Sequence, residues 1–217
     1  GDKQFFKVKL GVDETDEPAN NDLGDFVISL SGRYNIYNAL AVIATAMELN
    51  VSLVAIRTYL EEFTGVSRRM EVLGKYKGAT IVDDYAHHPT EVQSTLEGAR
   101  AAYPDKKIIT VFHPHTFTRT KALLDDFVAS FGLADEVIVL DIYGSAREEH
   151  GGAHSKDLVD KIGIRNKELG IRQDAKYIPT LDECEKYLRE NVERGDVVIL
   201  MGAGDVFKIG ESLINDK

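Results

Sequence analysis

The sequence predicts an α/β protein built on a mostly parallel sheet with helices on both faces. Two observations carry this. Short runs rich in Ile and Val recur at 79–83, 107–112, 136–140 and 197–201, with helix-length amphipathic segments between them. Clusters of charged and ring-bearing residues then follow two of those runs directly: Asp83-Asp84-Tyr85-Ala86-His87-His88-Pro89-Thr90 and His113-Pro114-His115-Thr116-Phe117-Thr118-Arg119-Thr120. In parallel α/β sheets ligands bind beyond the carboxyl ends of the strands, so the clusters sit where such a fold places its chemistry. The predicted class is Rossmann-like.

The elements follow in order. Residues 4–10 and 26–30 read as strands, with the polar, acidic segment 12–25 as a surface loop between them. An Ala-rich helix is expected over 36–49, with Ala39, Leu40, Ile43, Ala44 and Met47 as its buried stripe. A second helix, 52–62, has Ser52 as its cap. Met70-Glu71 runs into an alternating strand. From residue 79 the β-α alternation takes over. Strand 79–83 leads to helix 89–101, with Pro89 in its first turn and Glu91 near its positive end. Strand 107–112 leads to helix 119–131. After strand 136–140 a glycine-rich loop, Tyr143 to Gly152, precedes helix 155–162. Tyr177-Ile178 marks a short strand before helix 181–191, and strand 197–201 leads through Gly202-Ala203-Gly204-Asp205 to a last helix, 205–214.

Composition narrows the function classes. Of 217 residues, 43% are hydrophobic, enough for a real core. The formal net charge of -10 argues against a general nucleic-acid binder. No apolar run approaches the roughly eighteen residues of a membrane span, and no signal peptide opens the chain, so a cytoplasmic protein is expected. The single cysteine, Cys184, excludes an intrachain disulfide and reads as a small buried apolar residue. Gly1-Asp2-Lys3 runs straight into a strand-like segment, as expected of a cut inside a longer protein.

The strand ends supply the candidate residues: Asp83, Asp84, Tyr85, His87 and His88; His113, His115, Thr116 and Arg119; Asp141 and Tyr143; Gly202, Gly204 and Asp205. Helix capping accounts for part of the first cluster. Asp84 and His87 are metal-ligand types, but there is no HExxH spacing and no clear third ligand, so no protein-held metal is expected. Neither Ser94 nor Ser145 has the context of a nucleophile elbow. The Gly202–Asp205 segment lacks the further glycine of a dinucleotide fingerprint and reads as a turn of close backbone approach. No GxxxxGK[ST] phosphate loop occurs. Arg68-Arg69 is either solvated charge or a phosphate clamp. Asn35 and Asn38, three apart at a helix start, share a face; they serve as cap and surface polar residue, or recognise a ribose or base edge.

Taken together, Ser31–Ala41, Gly65–Glu71, Asp83–Glu91, Phe112–Thr120 and Met201–Asp205 resemble, in combination and order, the Mur ligases of bacterial cell-wall synthesis. The resemblance covers about 30 to 217. It implies residues 1–66 as the end of a central ATP-binding domain and residues 67–217 as a complete C-terminal amino-acid-binding domain. It also implies ATP and magnesium as cofactors, with the magnesium ligands mainly in a missing part. UDP-N-acetylmuramate and L-alanine become the expected partners, beside the missing N-terminal and central portions of the same protein. In that family ATP activates a carboxylate as an acyl phosphate and an amine displaces phosphate. By resemblance Asn35, Asn38, Arg69 and Asp84 would contact the nucleotide. Tyr85, His87, His115 and Arg119 would line the amino-acid site, and His87, Arg119 and Asp84 would support catalysis. A guanidinium at Arg119 suits an amino-acid carboxylate, while His87 either orients the amine or shares the carboxylate.

Departures accompany the match. Thr116 stands where an arginine is usual, Tyr34 replaces a histidine, and Met70 replaces an aromatic or aliphatic residue. The Pro-His-x-aromatic-Thr-Arg-Thr form at 114–120 favours the amino-acid-adding branch over the ligase that recycles murein peptides. A non-catalytic binding domain on the same fold is the rival from another class. The 217 residues alone, without a phosphate loop, are expected not to turn over.

Overall fold

The computed structural model describes residues 3–11, 21–30, 32–144 and 152–215. Most of the expected 12–25 loop, Ser31, Ser145 and most of the glycine-rich loop lie outside the described residues. The chain divides into two compact units, Gly1–Gly65 and Val66–Lys217.

The first unit is an antiparallel pair, β1 (Gln4–Lys9) and β2 (Asp22–Ile28), with two helices, α1 (Arg33–Glu48) and α2 (Leu53–Glu62). Val8, Leu23, Phe26, Ile43 and Ile56 form its small core. Ser52 caps α2, its hydroxyl accepting from the Ala55 N–H at 3.3 Å. The expected stripe on α1 needs one correction. Ala39 and Ile43 are buried and Leu40 and Met47 are half-buried, but Ala44 is exposed. Ala46 packs on the core instead, because positions 39, 40, 43, 46 and 47 share one helical face and position 44 falls off its edge.

The second unit holds a six-stranded sheet of order β3-β4-β8-β5-β6-β7. The strands are β3 (Glu71–Tyr76), β4 (Ala79–Asp84), β5 (Ile108–Phe112), β6 (Glu136–Val139), β7 (Asp174–Tyr177) and β8 (Val197–Met201). Five run parallel, and β3 closes one edge antiparallel to β4. The sheet is therefore mixed and Rossmann-like. Alternation along β8 shows why its strands are apolar throughout. Val197, Ile199 and Met201 face one layer, of helices α3 (Pro89–Ala102), α5 (Leu124–Ser130) and α6 (Ser155–Leu169). Val198 and Leu200 face the other, of α7 (Leu181–Asn191) and α8 (Phe207–Asn215), where the fully buried Cys184 sits. Burial on both faces removes any polar face from the pattern.

Four boundaries differ from the sequence reading. The strand expected at 26–30 is β2, which begins at Asp22, inside the expected 12–25 loop, and ends at Ile28, because its pairing with β1 starts at Lys9↔Asp22. Helix 119–131 is two helices, α4 (Phe117–Ala122) and α5, broken at Leu123, which leaves helical geometry with φ −113 and ψ 22. Leu123 and Leu124 both pack on the core there. Helix 155–162 runs on to Leu169, because Gly163 is tolerated inside it and the stop is Gly170 in the left-handed conformation, φ 64. The strand at Tyr177-Ile178 begins earlier, at Asp174.

Candidate functional site

Strand register brings the clusters together. Met201 at the end of β8 pairs with Asp84 on one side and Phe112 on the other. The ladder extends one step further: the Gly202 N–H donates to the Asp84 carbonyl at 3.1 Å and the His113 N–H to the Met201 carbonyl at 2.9 Å. Tyr85, Gly202 and His113 thus leave three adjacent strands side by side.

The first cluster separates into supports and open groups. His88 caps α3, its Nδ1 accepting from the Thr90 N–H at 3.3 Å. Glu91 closes the box by accepting from the His87 and His88 N–H groups at 3.0 and 3.2 Å. Glu91 was not among the sequence candidates, though its place three residues after a cap is the signal that identifies it. Asp84 is buried and fully engaged. One oxygen accepts from the Ala86 N–H at 2.8 Å and the Thr95 hydroxyl at 3.1 Å, the other from the Met70 N–H at 2.8 Å. Burial raises its pKa above the usual carboxylate value, and those donors hold it back. His87 Nδ1 lies 2.9 Å from the Tyr85 carbonyl. The same Nδ1 lies 3.3 Å from Glu91 Oε2, so both of its neighbours are acceptors and Nδ1 is the donor, which leaves Nε2 as the ring nitrogen for a ligand.

Arg68 is a structural tie. Its Nε donates to Asp83 Oδ2 at 3.0 Å and its Nη2 to the Gly202 and Gly204 carbonyls at 2.7 and 3.1 Å. Its guanidinium lies 4.9 Å from the Tyr85 ring centroid and 4.8 Å from that of Phe207. Of the paired arginines only Arg69 stays exposed, its guanidinium 5.8 Å from the Tyr85 ring centroid. Burial raises the Asp83 pKa, with Arg68 opposing it. The glycine turn is one of close approach, as its composition implies: a Cβ on Gly202 would stand 2.8 Å from the His113 carbonyl oxygen, and Gly202 has φ 153.

In the second cluster His113 is buried, and burial lowers its pKa so that the ring is held neutral. His115 lies edge-on to His87, ring centroids 6.4 Å apart, and stacks on Tyr143 at 5.6 Å. Tyr85 meets His87 edge-on at 5.2 Å. Arg119 sits in α4, and its Nη1 is buried with no hydrogen-bond partner among the described residues. Asp141 accepts from the Tyr177 hydroxyl at 2.5 Å, which pushes that phenol up to about 12. Asp205 pairs with the exposed Lys208 at 2.8 Å.

Asn35 and Asn38 belong to the first unit. The Asn38 amide donates to Asn35 Oδ1 at 3.5 Å across one turn of α1, so the shared face is real. Among the described residues no group of three His, Cys, Asp or Glu is placed to hold a metal ion. The donor set does not fit a resident magnesium ion either, since both oxygens of Asp84 already accept from N–H or O–H donors.

The family model described as Mur ligase, glutamate ligase domain, matches residues 68–204, which contain every strand-end candidate except Asp205. The chain belongs to the Mur ligase family. Among its Mur ligase relatives is the UDP-N-acetylmuramate–L-alanine ligase of Caldanaerobacter subterraneus subsp. tengcongensis, 46% identical over 194 residues, 89% of this chain and 41% of that protein. The enzyme of the same name from Desulfitobacterium hafniense is 45% identical over 196 residues, 88% of this chain and 42% of its own length. Among solved structures, the UDP-N-acetylmuramate–alanine ligase of Thermotoga maritima matches with a TM-score of 0.71 and 30% identity, covering 88% of this chain and 39% of that one. A murein peptide ligase from Psychrobacter arcticus follows with 0.65 and 26%, covering 88% and 38%. The chain spans about two fifths of the length of the curated Mur ligases it matches.

Proposed function

We propose that this chain is part of an ATP-dependent ligase that joins L-alanine to UDP-N-acetylmuramate. Residues 1–66 are the end of its ATP-binding domain and residues 67–217 its amino-acid-binding domain. The muramoyl carboxylate takes the γ-phosphoryl group of ATP, releasing ADP. The alanine amine then attacks the acyl carbon, the C–O bond to phosphate breaks, and the amine loses a proton. Magnesium accompanies ATP and is held mainly outside this chain. The strand-end residues position and polarise; the substrate amine is the nucleophile.

The single observation that carries the amino-acid site is the unpartnered, buried Nη1 of Arg119. A buried donor without a partner costs stability, and a carboxylate supplies the partner in the geometry a guanidinium prefers. His115, whose ring meets that of His87 edge-on, lies four residues before Arg119 in the chain, and His87 Nε2 is available to the amine. Tyr85 walls the site. Asp84 acts through structure, fixing the end of β4 and the Met70 turn. Arg69, Asn35 and Asn38 serve the nucleotide. These 217 residues contain no phosphate loop, and alone they do not turn over.

The test is calorimetric titration of the complete ligase with L-alanine in the presence of a non-hydrolysable ATP analogue and UDP-N-acetylmuramate. Arg119→Ala is expected to weaken alanine binding about tenfold or more, from the loss of a charge-assisted pair. Unchanged alanine affinity in that variant removes the assignment. Preference for a murein peptide over alanine moves the protein to the recycling branch.

A further inference from the structure

Tyr143, just beyond β6, has no part in the scheme above. Its ring stacks on His115, centroids 5.6 Å apart and planes 21° apart, and meets His113 edge-on, also at 5.6 Å. Its backbone grips the same segment twice: the Tyr143 N–H donates to the Pro114 carbonyl at 2.8 Å, and the Thr116 N–H to the Tyr143 carbonyl at 3.0 Å. The gripped segment is strained. Thr116 has φ 70 and ψ 132, a region that a β-branched residue occupies only when its surroundings enforce it, and such strain clusters at functional sites. Tyr143 is 46% exposed. Burial is therefore not what keeps it there, and the ring borders solvent at the mouth of the strand-end site.

We propose that Tyr143 is a positioning residue for the amino-acid site, acting through His115. Stacking holds the His115 imidazole edge-on to His87, and the two backbone bonds hold the 114–116 strap from which α4 and Arg119 begin. The phenol hydroxyl takes no part; the ring face does. This inference rests on the proposed ligase function.

The test is steady-state kinetics of the complete ligase carrying Tyr143→Ala or Tyr143→Phe, with a melting curve for each. Loss of an aromatic pair should raise KM for L-alanine about two- to tenfold. KM for ATP and the melting temperature should stay near the parent values, and Tyr143→Phe should restore KM for alanine. Three results overturn the inference alone, with the parent enzyme active on alanine: an unchanged alanine KM in Tyr143→Ala; a parallel rise in both KM values with a lowered melting temperature, which marks a merely structural ring; or failure of Tyr143→Phe to restore. A parent enzyme that adds no alanine overturns the ligase function and this inference with it.

Discussion

Replacing Arg68 by alanine should destabilise the second unit more than any exposed-charge substitution. Arg68 donates three hydrogen bonds, one to the Asp83 carboxylate and two to the Gly202 and Gly204 carbonyls. The Asp83 side chain is only 2% exposed and that of Arg68 25%. Removing one partner of a buried pair costs about 3–5 kcal/mol. The low end applies, because Arg68 is partly solvated and Asp83 can escape by taking up a proton. A loss of about 3 kcal/mol corresponds to roughly 6–12 °C in melting temperature for a unit of this size. The sign of the pH dependence follows from Asp83. Its folded pKa already lies above 3.8, through burial, and loss of Arg68 raises it further. A carboxyl whose folded pKa exceeds its unfolded value contributes stability that is complete below the unfolded pKa and is lost as pH rises through the folded one. The deficit of Arg68→Ala should therefore be largest near neutrality and shrink as pH falls through the raised pKa of Asp83. The chain has no tryptophan, so the assay is urea unfolding followed by far-UV circular dichroism, with Asp83→Asn and the double variant completing a cycle. A deficit below about 1 kcal/mol at pH 7, a deficit that ignores pH, or strict additivity in the cycle would refute the reasoning.

Two further perturbations test other parts of the fold. At the opposite, amino end of β6, buried Glu136 pairs with Lys107 at 2.7 Å and Lys176 at 3.0 Å and accepts from the Tyr187 hydroxyl at 2.6 Å. Burial opposes these partners, but they prevail and hold its pKa at about 2 against 4.5. That stability is present above about 4.5 and lost as pH falls toward about 2. Glu136→Gln should cost roughly 3 kcal/mol at pH 7 and flatten the acid limb of the stability curve between those values, as measured by denaturant titrations at stepped pH. Gly202→Ala should cost about 2 kcal/mol, since its Cβ would stand 2.8 Å from the His113 carbonyl oxygen, a backbone atom that cannot swing aside. An unchanged unfolding midpoint would show that the glycine turn is free to shift.

Much of this was legible in sequence, for a physical reason. Strands buried on both faces read as unbroken apolar runs, so β5 and β8 announce themselves, and the residues that follow them must lie at the ligand-binding edge. What stayed hidden depends on the third dimension. Arg68 and Arg69 are chemically identical neighbours. Arg68 turns inward because it adopts φ 62, and Met70 follows at φ 49, a turn set by the Met70 N–H on Asp84. Nothing in the local composition of Arg68-Arg69-Met70 specifies that backbone. The break at Leu123 was equally invisible, since the helical period runs through it and only packing of Leu123 and Leu124 on the core interrupts it. Ala44 shows the converse: apolar spacing names a candidate face, and the neighbours decide how wide that face needs to be.

The polar groups at the strand ends fall into two kinds, and the division argues for where a ligand goes. Asp84, Glu91, His88 and Arg68 have their donors and acceptors matched inside the unit, so they shape the edge of the sheet. Arg119 Nη1, His113 Nδ1 and the second carboxylate oxygen of Asp83, Oδ1, are buried without partners among the described residues. Native interiors rarely leave such groups unmatched. His113 sits behind Gly202 and Gly204, where a Cβ on Gly204 would stand 3.3 Å from its Nδ1, and burial lowers its pKa, which favours the uncharged ring. Arg119 keeps its charge, so an anion matches it better than a neutral acceptor does. On the function proposed above, that anion is the amino-acid carboxylate, and the guanidinium pairs with it through parallel N–H donors.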